Sequence, residues 1–117
     1  MVFEILNSAE IKGSDYRKID RTQFEEAAYL LRALANETRL CVIMQLSKKQ
    51  EMTVSDLQEG MECEQSLLSH HLTDMRAKGI LSCRKSGRNN YYSLKDKRAF
   101  YLLKCIVDCD TREFRLS

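Results

Sequence analysis

Apolar side chains recur at three- and four-residue spacing along most of this chain and switch to two-residue spacing once, late in the sequence. The first helical stripe is Phe24, Ala27, Ala28, Leu31 and Leu34, and Asp20 with Gln23 three residues on forms a capping box at its start. Asn36 has the chemistry of a second N-cap. It heads ETRLCVIMQLSKK, where Leu40, Ile43, Met44 and Leu46 point inward and Lys48-Lys49 suit the negative end of the helix dipole. Thr53 to Asp56, TVSD, is a further capping box that opens a short helix around Leu57 and Met61, with Glu59-Gly60-Met61-Glu62 near a turn. Leu68, Leu72 and Met75 form the stripe of a fourth helix. Gly79 stops it, because glycine takes the left-handed conformation past a helix end without steric penalty.

The period then changes to two. Leu81 and Cys83 alternate with Ser82 and Arg84, Tyr92 and Leu94 alternate with Tyr91 and Ser93, and Ser86-Gly87-Arg88-Asn89-Asn90 supplies turn residues between them. Asp96 caps a last helix, KRAFYLLKCIVDC, apolar nearly all the way round. The predicted fold is mostly α with a β-hairpin. About five helices and a two-stranded wing follow one another in the order of a winged helix-turn-helix. Residues 1–19 show little periodicity beyond the cluster Val2, Phe3, Ile5 and Leu6, and read as an N-terminal arm; residues 20–117 form the single DNA-binding and dimerisation domain.

A terminal helix apolar on more than one face needs cover on more than one face. In a chain of 117 residues the simplest cover is a second copy, so a two-fold dimer through the last helix, with the first beside it, is predicted. Such a pair sets two recognition helices about one duplex turn, roughly 34 Å, apart, as a palindromic operator requires.

The polar face of the fourth helix carries Gln65, Ser66, Ser69, His70, Thr73 and Arg76 rather than paired Glu and Lys. These short donors and acceptors can reach base edges and phosphates in a major groove of double-stranded DNA. Charge follows the same plan. Before His70 there are eight basic residues against twelve acidic; from His70 to Arg98 there are eight against two, and the net charge of the chain is +2. Arg84, Lys85 and Arg88 put part of that excess on the hairpin and its tip, where a polyanion would meet it. A merely solvated face would scatter both signs. The chain has no run of about eighteen apolar residues to span a membrane, and MVFEILNSAEIKGSD lacks a signal-peptide pattern, so a cytoplasmic location is expected.

With these parts in place the sequence resembles the ArsR/SmtB family of bacterial winged-helix repressors over about residues 24–109. The resemblance rests on LLRALANETRLCVIMQL, TVSDLQ and EQSLLSHHLTDMRAKGILSCRKSGRNNYYSL, with their SxxSHHLxxMRxxGI and RxxGRxxYYxL patterns. It implies a homodimer that represses from an operator and lets go when a metal, metalloid or thiol-reactive inducer binds. It also implies that Gln65, Ser66, Ser69, His70 and His71 face the groove, that Arg76 touches the backbone, and that Arg88 with Asn89 forms the wing tip beside Lys85. Two of the family's metal sites look absent. The ELCVCDL-like metalloid signature is EMTVSDL here, so Met52, Val54 and Ser55 offer no thiolates. Of the zinc positions on the last helix Asp96 matches, but Arg98 and Arg112 stand at others and a guanidinium is no ligand.

Five cysteines without a CxxC pair argue against a disulfide framework. Cys105 and Cys109 are four apart and share a helix face, a half-site for a thiophilic metal or metalloid that needs a third ligand, or a redox pair, and the family resemblance implies Cys41 as the thiol that meets them. The competing reading is that these thiols simply pack, since free cysteine is among the most buried residue types. His70-His71 does not chelate, because adjacent helical residues diverge by about 100°. Two other functions compete: a winged-helix module with no inducer, binding DNA constitutively or binding protein, and a thiol enzyme using Cys63 with His70. The second lacks an oxyanion-hole or phosphate-binding motif.

Overall fold

The computed structural model describes residues 18–109. The arm expected for residues 1–19 lies outside the described residues except for Lys18 and Ile19, and so does Arg112. The chain divides into two compact units between Arg32 and Ala33. Helix α1 (Arg21–Leu34) lies mainly in the first. Its capping box forms as expected: the Gln23 amide donates to Asp20 Oδ1 and the Asp20 amide to Gln23 Oε1, both at 3.0 Å. The Arg21–Glu25 pair further on is open to solvent and contributes little.

The second unit runs α2 (Glu37–Lys48), α3 (Val54–Glu59), α4 (Gln65–Ala77), β1 (Leu81–Ser86), β2 (Asn89–Leu94) and α5 (Lys97–Asp108). Each cap read from the sequence is made. Asn36 Oδ1 accepts from the Thr38 and Arg39 amides, Thr53 and Asp56 exchange both bonds of a capping box, and Asp96 Oδ1 accepts from the Arg98 amide. The core is built from Val42, Ile43, Leu57, Leu68, Leu72 and Met75, all fully enclosed. Val42 corrects the expected inward face of α2, since Leu40 and Met44 are only half-buried. The reason is that α2 packs against α4, β2 and α5 at once, so it is covered over more than one stripe. Helix α3 also stops at Glu59, leaving Met61 in the turn.

The hairpin pairs in antiparallel register from Leu81↔Leu94 to Ser86↔Asn89, which leaves Gly87-Arg88 as a two-residue loop with Gly87 at φ +62°. The strands extend further toward the tip than the apolar alternation does, because backbone pairing needs no apolar side chain. Met52 forms a single bridge to β2, exchanging backbone bonds with Tyr92 at 3.0 and 2.8 Å.

Helix α4 ends in a Schellman arrangement. The Ile80 amide donates to the Met75 carbonyl and the Gly79 amide to the Arg76 carbonyl, with Gly79 at φ +79°. A Cβ on Gly79 would meet nothing within 4 Å, so only its backbone conformation opposes substitution. Gly79→Ala is therefore expected to cost about 1–2 kcal/mol in a urea titration, the left-handed penalty of an L-residue. An unchanged midpoint would mean that α4 does not end this way in solution.

On α5, Ala99 and Leu103 are buried, whereas Tyr101, Ile106 and Val107 are exposed. Ile106 and Val107 continue the stripe of Ala99 and Leu103 past the turns that the core covers, and Tyr101 lies on the other side of the helix. No helix among the described residues is long and apolar enough to cross a membrane.

Candidate nucleic-acid interface

Helix α3, the turn at residues 60–64 and α4 make the helix-turn-helix, with Gln58 Nε2 donating to the Cys63 carbonyl across the turn at 3.2 Å. Leu68, Leu72 and Met75 anchor one side of α4. On the other side Gln65, Ser66, His70, Thr73 and Arg76 are exposed and Ser69 is half-buried. Two further features of this face were not anticipated. Leu67 stands 47% exposed at the flank of this face, one turn before His70. Glu64, at the N-cap, makes no side-chain cap, so the first-turn amides of α4 remain open to a phosphate.

His71 is a correction. The family resemblance implies a groove-facing residue, but it is only 8% exposed and turned inward. It lies three residues after Leu68 and four before Met75, the spacing of the buried stripe, and that spacing was the available signal. Its Nδ1 accepts from Arg39 Nε at 2.9 Å. A guanidinium N–H can only donate, so this imidazole is neutral with its proton on Nε2. Arg39 also donates through Nη1 to the Ala33 carbonyl at 3.0 Å and pairs with Asp74 Oδ2 at 2.7 Å. Lys78 Nζ reaches the same carboxylate oxygen at 2.7 Å. One half-buried guanidinium therefore ties the first turn of α2 to the middle of α4. Lys78 and Arg39 hold the Asp74 carboxyl below its usual range, the Lys78 bond being the larger cause.

Burial, and then the positive field of Arg39, push the His71 imidazole below its ordinary 6.5, with His70 adding to this and Asp74 opposing it. The folded chain thus binds fewer protons at His71 than the unfolded one. Its contribution to stability is complete above about pH 6.5 and is lost as pH falls through the lowered value. The urea midpoint is accordingly expected to drop between pH 7.5 and 5.5, and His71→Gln to flatten that part of the profile. If the variant keeps the full slope, the acid sensitivity belongs to another group.

The wing is braced at its base and open at its tip. Arg84 forks onto the Glu51 carboxylate with two bonds of 3.0 Å and lies 4.7 Å over the Tyr91 ring, so its charge is engaged within the protein. Lys85, Arg88 and Asn89 are exposed. Among the described residues Arg76, Lys85 and Arg88 make no ion pair, whereas Lys78 and Arg84 do. On the helix-turn-helix and wing, the cations left for a polyanion thus sit on α4 and at the wing tip.

Cys105 is exposed, Cys41 and Cys109 are half-buried, and no group of three His, Cys, Asp or Glu among the described residues could hold a metal ion. Cys41 as a third ligand beside Cys105 and Cys109 is therefore corrected for a single chain. Leu103 faces the core, and Cys105, two residues on, is turned about 200° around the helix, away from it. Helix α5 ends at Asp108, so Cys109 occupies its extended C-cap. Asp96 is engaged by Arg98, at 3.0 Å through Nε and 2.7 Å through Nη2, besides its cap. Cys83 lies opposite Tyr92 in the sheet, and burial first, then Cys83, push the Tyr92 hydroxyl up. That is a packing environment. The His70 and His71 rings are 6.1 Å apart and tilted by 59°, as expected for neighbours that cannot chelate together.

Residues 36–82 match the family described as "Bacterial regulatory protein, arsR family". The chain is 35% identical to the "Transcriptional repressor SmtB homolog" of Synechocystis sp. over 86 residues, 74% of this chain and 64% of that protein, so it spans less than two thirds of that relative. The crystal structure of NolR from Sinorhizobium fredii is 32% identical, with a TM-score of 0.66 over 79% of this chain and 94% of that one. The AntR antimony-specific transcriptional repressor, at 23% identity, shares the fold with a TM-score of 0.77 over 94% of this chain and 100% of that one.

Proposed function

The chain belongs to the ArsR family of bacterial regulatory proteins, and from that premise we propose that it represses transcription as a cytoplasmic homodimer bound to a palindromic operator. The observation that carries this reading is the outer face of α4. Gln65, Ser66, His70, Thr73 and Arg76 stand free on one side of a helix whose other side is locked by the core and by Arg39. Such a helix presents base-reading groups without having to order them on binding. Lys85 and Arg88 supply phosphate contacts beside it, with Asn89 at the wing tip.

Two copies joined through the exposed Ile106 and Val107 of α5 would cover apolar side chains that one chain leaves open. The chain is read as a regulator and not as an enzyme. Its inducer is a metal, a metalloid or a thiol-reactive compound acting at Cys105, which is exposed, with Cys109. Two thiolates from one chain do not complete a metal site, so a metal would need a donor from a second chain or from beyond the described residues. A winged-helix module with no inducer is the alternative. Operator affinity measured with and without zinc, arsenite and a thiol oxidant separates the two, since the alternative shows no shift with any of them.

DNA contact by the wing tip is tested by salt dependence. Arg88→Ala is expected to weaken binding to operator and random duplexes alike, and to flatten the log-affinity against log-salt plot by about one unit. Unaltered affinity and slope would remove the wing tip from the interface.

A further inference from the structure

A groove of about 610 Å³ opens where the end of α2, the end of β2 and the start of α5 meet. We propose that it is a binding site for a small organic anion with an apolar body, such as an aromatic or medium-chain carboxylate. Three lysines line it, Lys48, Lys49 and Lys97, against a single carboxylate, Glu51, which is already occupied by both arms of the Arg84 fork. None of the three lysines makes an ion pair among the described residues. Lys97 is the first residue of α5, at the positive end of that helix, where a cation is disfavoured and an anion favoured. An incoming carboxylate would thus find cations that no carboxylate within ion-pair distance occupies.

The apolar half of the ligand has its counterpart in the same groove. Leu94 and Phe100 are half-buried in its lining, and Tyr101 is 66% exposed. Cations beside apolar and aromatic surface select a molecule carrying both a charge and a body. Helix α2 packs on both β2 and α5, and the loop residues Lys49, Gln50 and Glu51 complete the lining. The volume is that of an ordinary small-molecule site, about 300–1,000 Å³. Leu94 ends the wing strand β2, so occupancy would also be felt at the wing. That consequence alone rests on the regulatory reading.

The test is carried out without DNA, so its outcome is independent of operator binding. Amide NMR spectra of the full chain are recorded against sodium octanoate, octylammonium chloride and sodium acetate. Octanoate is expected to give saturable shifts confined to Ser93, Leu94, Lys97 and Phe100, and the other two probes none at the same concentrations. Lys48→Glu with Lys97→Glu, both at exposed positions, is expected to weaken octanoate binding at least tenfold. Equal shifts with octylammonium would reduce the groove to an apolar patch, and equal shifts with acetate to ordinary ion pairing. Octanoate shifts centred on Ile106 and Val107 would place the ligand elsewhere. Any of these three results overturns the proposal, and the comparison of probes on the unmodified chain holds even if the double variant folds poorly.

Discussion

Arg39→Met is expected to lower stability by about 2–4 kcal/mol, which for a domain of this size moves the thermal midpoint down by roughly 10 °C or more. Methionine keeps most of the length and apolar stem of arginine, so the loss isolates the guanidinium. That group bonds the Ala33 carbonyl, His71 Nδ1 and Asp74, and its side chain is only 13% exposed. Removing it strands two acceptors where water reaches poorly, and each such bond to a charged donor is worth about 1.5–3 kcal/mol. The total stays below the sum because Lys78 still holds Asp74, whose side chain retains some solvent contact. Arg84→Met is the control. It removes a bidentate pair from an exposed position, and should hardly move the melting temperature. If the two variants melt alike at one protein concentration, the α2–α4 tie is not what holds the recognition helix.

The second large effect concerns sequence discrimination. Ser69→Ala and His70→Ala are each expected to lose about 1–3 kcal/mol of preference for the operator over random duplex, which is the worth of one good base contact. Thermal stability should hardly change for His70→Ala, whose side chain is exposed. His71→Ala should do the reverse, weakening the fold through its Arg39 contact while leaving relative preference nearly intact. Binding isotherms on both duplexes, read beside melting curves, separate the neighbours. Equal losses on operator and random DNA for Ser69 and His70 would mean that the base-reading face lies elsewhere.

Much of the site was legible before any coordinates, because its parts are specified locally. The caps at Asp20, Asn36, Thr53 and Asp96 act within three residues of themselves, and the Gly79 stop needs only its own backbone and the preceding turn. The change of apolar period marked the hairpin. The exposed row from Gln65 to Arg76 followed from the buried row of Leu68, Leu72 and Met75, since the two share one helix. His71 was misplaced although its spacing from Leu68 and Met75 pointed inward: the resemblance put both histidines in the groove, and a polar side chain is an unusual member of a buried stripe.

By itself, then, the sequence determined the elements, their ends, the order helix-turn-helix then wing, and the concentration of positive charge on that unit. Tertiary structure alone decided which charges remain available. Arg39 meets His71 across 32 residues of chain and Arg84 meets Glu51 across 33, and both choices depend on which elements come to lie side by side. The same holds for the bridge between Met52 and Tyr92 and for Val42, enclosed because three elements close over α2. A cap or turn is settled by a few neighbouring dihedrals, so a short stretch of residues encodes it. A long-range ion pair exists only after the chain has packed, and its partners leave no periodic trace in the sequence.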